Sequence, residues 1–102
     1  MGKAALSRRM TMKQTLTDKL HAAFAPEHLH VIDESHLHEG HSGHRPGGET
    51  HFRVQIVAAA FDGKSRIDRH RMINTAVAAE LAGGVHALAI KAQTPAENKA
   101  VS

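Results

Sequence analysis

Histidine is the residue type in this chain whose frequency and spacing indicate chemistry. The chain has 102 residues, of which ten are His and none is Cys, Trp or Tyr. Seven of the ten His lie between His28 and His51. Imidazole is a common metal ligand and changes its charge near neutral pH. The lack of Cys excludes a disulfide scaffold, a thiol nucleophile and any zinc or cluster site built from this chain's own thiolates.

Residues 33–49 (DESHLHEGHSGHRPGGE) form a Gly-rich segment that predicts a long connection between two strands. The segment carries four histidines, His36, His38, His41 and His44. A connection this long is uncommon in a small domain unless it has a function. One interpretation is a His-rich tract that binds zinc, copper or nickel, with Asp33, Glu34 and Glu39 as nearby carboxylates. His36 is expected to be solvated, as are His21, His28 and His30, for which no motif is present.

A second cluster is basic and lies between residues 64 and 71. Its members are Lys64, Arg66, Arg69, His70 and Arg71. On a helix, Arg66, Arg69 and His70 would lie on one side, at i, i+3 and i+4. The pattern is consistent with phosphate contacts to DNA, or with an ordinary solvated face. No side chain is placed to read a base edge, so sequence-specific recognition is not predicted.

Catalytic motifs are incomplete wherever they begin. Gly63-Lys64-Ser65 resembles the end of a P-loop, but the Gly required five residues earlier is Ala58. His38-Glu39 begins a zincin motif, but the second His is replaced by Ser42. No nucleophile elbow, paired-carboxylate site or cofactor fingerprint is present. We therefore predict that the protein is not an enzyme.

Hydrophobic periodicity and turn signals predict five elements in the order α-β-β-α-β. They are a helix over 11–24, strands over 29–32, 50–59 and 85–92, and a helix from a Ser65/Asp68 capping box to Leu81. The order indicates an α+β domain with helices on one face of a small sheet. Because a helix connects the last two strands, they are predicted to be parallel.

Composition and charge limit the partners and the cellular location that can be expected. The net charge is +3 with neutral His, and the pI is about 9.7, a mildly basic balance that permits an anionic partner without requiring one. No run of 18 apolar residues is present, so no membrane span is predicted. No apolar core follows the basic start, so no signal peptide is predicted either, and the cytoplasm is the expected location.

Several stretches, in order along the chain, resemble the BolA family closely. They are residues 31–35 (VIDES), 48–54 (GETHFRV), 61–66 (FDGKSR), 69–74 (RHRMIN) and 85–90 (VHALAI), followed by Thr94-Pro95. The resemblance covers residues 12–97, with a longer segment at 36–48. It implies a BolA-like fold, α-β-β-α-α-β, related to the class II KH arrangement. The chain then divides into a flexible extension (1–11), a BolA-like domain (12–93) and a polar C-terminal tail (94–102).

The resemblance also implies a metal cofactor held with a partner. BolA-like proteins pair with monothiol glutaredoxins and share a bridging [2Fe–2S] cluster, in iron–sulfur cluster trafficking or iron sensing. The family's C-terminal ligand matches His86. The loop ligand matches His38 first, then His41, then His44. Since the chain lacks Cys, the glutaredoxin and a bound glutathione would supply the thiolates, and the protein alone would hold no cluster.

A second function implied by the resemblance is transcriptional regulation. Some bacterial members bind DNA and regulate morphology and stress response, and here the basic segment from Lys64 to Arg71 would make the contacts. The same segment could instead dock an acidic side of the glutaredoxin. The oligomeric state stays open, with a weak homodimer as one alternative.

Overall fold

A three-stranded mixed sheet organises the protein. The structure is a computed structural model that describes residues 11–34 and 50–101. The strands are β1 (His28–Asp33), β2 (His51–Val57) and β3 (Ala87–Gln93), in the spatial order β1-β2-β3. β1 pairs with β2 antiparallel, and β2 pairs with β3 parallel. The predicted parallel relation of the last two strands is therefore confirmed.

The helices fill the connections as the local sequence predicts. They are α1 (Met12–Phe24), α2 (Arg66–Ala76), α3 (Ala78–Gly83) and α4 (Pro95–Val101), with a short 3-10 turn at Ala59–Phe61. The segment predicted as one helix from Ser65 to Leu81 is divided at Val77, where the backbone leaves helical geometry (φ −117°, ψ 27°). This division matches the two consecutive helices that the BolA resemblance implies.

Capping residues set the helix boundaries. Thr11 caps α1 with a full capping box, in which its hydroxyl accepts from the Gln14 N–H and the Gln14 side chain accepts from the Thr11 N–H. The Ser65 hydroxyl accepts from the Asp68 N–H at the start of α2, as predicted. α1 ends at Ala25, which has a left-handed backbone (φ 46°), immediately before Pro26.

The core lies on one face of the sheet, beneath α1 and α2. Leu16 and Leu20 of α1 and Ile73 of α2 are fully buried there. Alternate residues complete it, since Phe52, Val54 and Ile56 of β2 and Ala58 just after the strand are all buried. Arg53 and Gln55 lie on the opposite, exposed face. Within residues 11–34 and 50–101, no helix is long and apolar enough to cross a membrane.

The segment predicted as a polar C-terminal tail contains the helix α4, which the sequence-based reading did not include. Its start is a reciprocal capping box, in which the Glu97 N–H donates to the Thr94 hydroxyl and the Thr94 N–H donates to the Glu97 carboxylate. The sequence signal is Thr-Pro-Ala-Glu, with Pro95 at the first helical position, where its missing N–H costs nothing.

Candidate metal centre

His86 lies at the edge of the sheet where β2 and β3 both begin. Its backbone N–H donates to the Thr50 carbonyl at 2.6 Å, and the Ala87 N–H donates to the same oxygen at 3.2 Å. The sequence pattern predicts His86 within the third strand. In the structure it precedes β3 by one residue and its side chain is exposed, because the strand begins two residues later than predicted. The imidazole is thus held at a fixed point of the backbone and is accessible from outside.

His51 is the neighbour of His86 at this edge. The two ring centroids lie 5.3 Å apart, with an interplanar angle of 49°. His51 is buried, with 8% of its surface exposed, and its Nδ1 is hydrogen-bonded to the Thr50 hydroxyl at 2.8 Å. No motif in the sequence connects His51 with His86. The available signal was the parallel pairing of β2 and β3, which brings the first residues of both strands together.

Both ends of the Gly- and His-rich connection meet this corner. Its N-terminal end follows Glu34, whose backbone N–H donates to the His51 carbonyl at 2.8 Å. Its C-terminal end returns at Thr50, which binds the backbone of His86. Arg53 Nε donates to the Glu34 carboxylate at 2.8 Å, and this ion pair raises the pKa of the Arg53 guanidinium. The predicted loop ligands His38, His41 and His44 lie outside the described residues.

The donor set at the corner fits part of a shared iron–sulfur site. Among residues 11–34 and 50–101, no group of three or more His, Asp or Glu side chains could hold a metal ion by itself. The corner offers one exposed imidazole, at His86, and the chain offers no thiol. Iron–sulfur clusters accept His in place of Cys at some positions, but they need further ligands. His86 can therefore serve as one ligand of a cluster only if other groups complete the site.

The predicted basic segment contributes to a groove that also involves the sheet. A cavity between α2 and the sheet is lined by four permanently cationic residues and one His, namely Arg53, Arg66, Arg69, Lys91 and His70. We refer to these residues as the basic groove. Arg53 and Lys91 come from β2 and β3 and were not predicted, because no local spacing links them to α2. Only the packing of the helix against the sheet brings the five together.

Arg69 lines the basic groove, and its guanidinium is hydrogen-bonded to other groups of the same chain. Its guanidinium donates to the Ala92 carbonyl at 3.1 Å, to the Lys64 carbonyl at 3.0 Å, and to both carboxylate oxygens of Glu97 at 2.6 and 3.0 Å. The pair raises the pKa of Arg69 and, together with the Thr94 N–H, lowers the pKa of Glu97 to about 2. The charge of Arg69 is thus engaged inside the fold.

Arg71 is not brought together with the groove. It lines a separate apolar cavity with Phe24 and Met72 between α1 and α2, and its guanidinium lies 3.8 Å from the Asp68 carboxylate. Lys64 is exposed before the start of α2 and contributes its backbone carbonyl to Arg69. Of the five predicted residues, the structure therefore places Arg66, Arg69 and His70 in the groove.

Comparison with known proteins settles the family. A family model for BolA-like proteins matches residues 20–97. The chain belongs to the BolA family. It is 49% identical over 92 residues to an uncharacterized Sinorhizobium protein from the cobS 5′ region, covering 86% of this chain and 96% of the relative. It is 41% identical over 85 residues to the DNA-binding transcriptional regulator BolA of Escherichia coli K12, covering 83% and 77% of the two chains.

The BolA fold is equally clear from solved structures. The BolA domain of SufE1 from Arabidopsis thaliana superposes with a TM-score of 0.78 at 42% identity, covering 88% of this chain and 99% of that domain. The α+β architecture that the sequence predicts is therefore confirmed as a BolA domain.

Proposed function

We propose that this BolA-family protein pairs with a monothiol glutaredoxin and contributes His ligands to a bridging [2Fe–2S] cluster, in cluster trafficking or iron sensing. The observation that carries the proposal is the position of His86. It is an exposed imidazole, anchored through its backbone to Thr50, at the corner to which both ends of the His-rich connection return. A ligand at this corner faces outward, where a partner protein can supply the remaining donors.

The chain's own residues define its share of the site. His86 is one ligand, and one of His38, His41 and His44 is the second. Two neutral imidazoles in place of two thiolates raise the reduction potential of a [2Fe–2S] cluster, which suits a redox or transfer role. The thiolates come from the glutaredoxin and its glutathione, since this chain has none. His51 packs beside the His86 ring and limits the directions in which that ring can point.

Titration of a cluster-loaded monothiol glutaredoxin with this protein tests the proposal. Visible absorption and circular dichroism should change as imidazole replaces an existing ligand. His86→Ala should abolish the change, while His21→Ala, at an exposed position on α1, should leave it intact. Single Ala substitutions at His38, His41 and His44 then identify the loop ligand. An unaltered spectral change with His86→Ala would refute the assignment of this ligand.

A second candidate function is DNA binding, and the basic groove is the observation that favours it. Arg66 and Lys91 present positive charge from α2 and β3 at one place on the surface, beside Arg53, whose charge is paired with Glu34. Such a cluster attracts phosphates without reading bases. The E. coli relative is a DNA-binding transcriptional regulator. Binding to promoter and random DNA should be compared across a salt series, and equal weak binding to both that disappears at physiological salt would argue against regulation by base readout.

A further inference from the structure

Two histidines of β1 occupy the face of the sheet opposite to the core. His28 and His30 are both exposed, whereas Leu29 is half-buried and Val31 is buried against the helices. Strand alternation therefore directs both imidazoles to the same open face. Residues two apart on one face of a strand are separated by about 7 Å, a span that two imidazoles can bridge around one ion. No motif in the sequence predicts a role for these histidines.

The surroundings of the pair form a polar pocket. His28 and His30 line a cavity of about 330 Å³ together with the side chains of Gln55 and Gln93. Gln55 lies directly opposite His30 in the β1–β2 pairing. Asn98 of α4 borders the same cavity, as does Lys91. The pocket thus combines two imidazoles with amide groups whose oxygens are potential ligands.

We propose that His28 and His30 bind a late first-row divalent transition metal ion on the open face of β1. Imidazole suits zinc, copper and nickel, and for a given set of ligands the affinity is highest for Cu²⁺. Water and the amide oxygens of Gln55 and Gln93 complete the coordination. Because the protein provides only two imidazoles and the cation Lys91 lies nearby, the site binds more weakly than a structural zinc centre.

This site is separate from the corner at His86. In the β1–β2 pairing, His28 lies opposite Val57, at the far end of β2 from His51. Six residue steps along a strand correspond to about 20 Å. A metal ion at His28 and His30 would therefore leave the ring of His86 untouched, and the proposal does not depend on the cluster-sharing function.

Amide-resolved NMR of the full chain with Cu²⁺ tests the site. The ion is paramagnetic and broadens signals near its binding position. To remove competing imidazoles, the titration uses a variant in which His36, His38, His41 and His44 are replaced by Asn. We expect broadening at Gln55, Val57 and Gln93, and we expect His28→Asn to weaken Cu²⁺ binding at least about tenfold, since even removal of an outer-shell partner costs 10–100-fold. Lys91→Gln should strengthen binding severalfold by removing a like charge.

Two results would overturn the proposal. One is broadening confined to residues around His51 and His86. The other is broadening at Gln55 that persists when His28 and His30 are both replaced by Asn. A second measurement uses the chain with its natural His36, His38, His41 and His44, in which only His28 and His30 are replaced by Asn. In that variant the signals of Gln55 and Gln93 should no longer respond to Cu²⁺, while signals near the long connection should still respond. Both substituted side chains are exposed, so an unchanged amide spectrum without metal serves as the folding control.

Discussion

Arg69 and Glu97 form a two-point ion pair that joins α2 to α4. Nη1 lies 2.6 Å from Oε1 and Nη2 lies 3.0 Å from Oε2. The same guanidinium donates to the Ala92 carbonyl near the end of β3. One side chain from the predicted basic segment therefore fixes the C-terminal helix against the domain. A planar guanidinium that pairs through two parallel bonds gives a geometry that Lys cannot reproduce.

Docking of α4 should depend on pH through Glu97. The pKa of this carboxyl is lowered to about 2, first by the bond from Arg69 and then by the Thr94 N–H. Since the pKa is depressed in the folded state, the contribution of the pair is fully present above the ordinary value of 4.5 and is lost as the pH falls toward 2. Side-chain carboxyl NMR of Glu97 should show the low titration midpoint, and α4 amides should retain their shifts at pH 3.5.

Arg69→Gln provides the matched variant for this pair. We expect the pKa of Glu97 to rise toward 4.5 without reaching it, because the Thr94 N–H still donates to the carboxylate. We also expect the amides of α4 to exchange faster at neutral pH. If Glu97 titrates at the same pH in both proteins, the ion pair does not form in solution.

The basic groove predicts a specific pattern in the salt dependence of DNA binding. Arg66 lines the groove and Arg71 does not, although each is one positive charge on α2. Removing a phosphate contact should reduce the slope of log K against log salt by about 0.9. Arg66→Gln should show this loss in a fluorescence anisotropy series, while Arg71→Gln should leave the slope unchanged. Equal losses for both variants would mean that overall charge, and not the groove, determines binding.

His51 should act as a positioning residue for His86. Because its ring contacts that of His86 and its Nδ1 is bonded to Thr50, His51→Ala keeps the ligand but removes what orients it. A ligand whose orientation is no longer fixed by its neighbours binds a metal less tightly. We therefore expect the His51→Ala variant to be needed in larger amount in the glutaredoxin titration and to give an altered visible circular dichroism spectrum. His86→Ala, by contrast, should abolish the spectral change.

A second substitution separates positioning from folding. His51 is buried, so His51→Ala should also lower the free energy of unfolding by about 0.5–3 kcal/mol. Leu20→Ala, a core change in α1, should cost about 2–5 kcal/mol and leave the spectrum of the complex unchanged. If Leu20→Ala alters the spectrum in the same way, the effect of His51→Ala reflects stability alone.

Elements with strong local signals were predictable, and contacts between elements were less so. The helical spacing of Leu16 and Leu20 and the alternation from Phe52 to Ala58 each specify one buried face, because a single periodicity determines them. α4 was missed although Thr94 and Glu97 form a capping pattern, since seven residues offer little apolar periodicity. The short helix is stabilised instead by the long-range pairing of Glu97 with Arg69, which local sequence does not reveal.

In the candidate sites too, single residues could be predicted from the sequence, whereas their contacts could not. His86 was identified from its family motif, but its contact with His51 follows from the register of two parallel strands. The basic groove needs Arg53, Arg66 and Lys91, which lie on three elements and meet only through packing. Residue types are therefore visible in the sequence, whereas the grouping of residues that are distant in sequence requires the fold.

Two glycines near the helices should respond to Ala in opposite directions. Gly63 has φ +74° in the turn before α2, and nothing lies within 4 Å of an added Cβ. Replacing Gly63 by Ala therefore introduces backbone strain and no steric clash, and Gly63→Ala should lower the free energy of unfolding by about 1–2 kcal/mol. Gly83 ends α3 without a positive φ and also has open space, so Gly83→Ala should raise stability by up to about 0.5–1 kcal/mol. Urea denaturation with a shared m-value measures both changes, and a stabilising effect of Gly63→Ala would show that the turn adopts another conformation in solution.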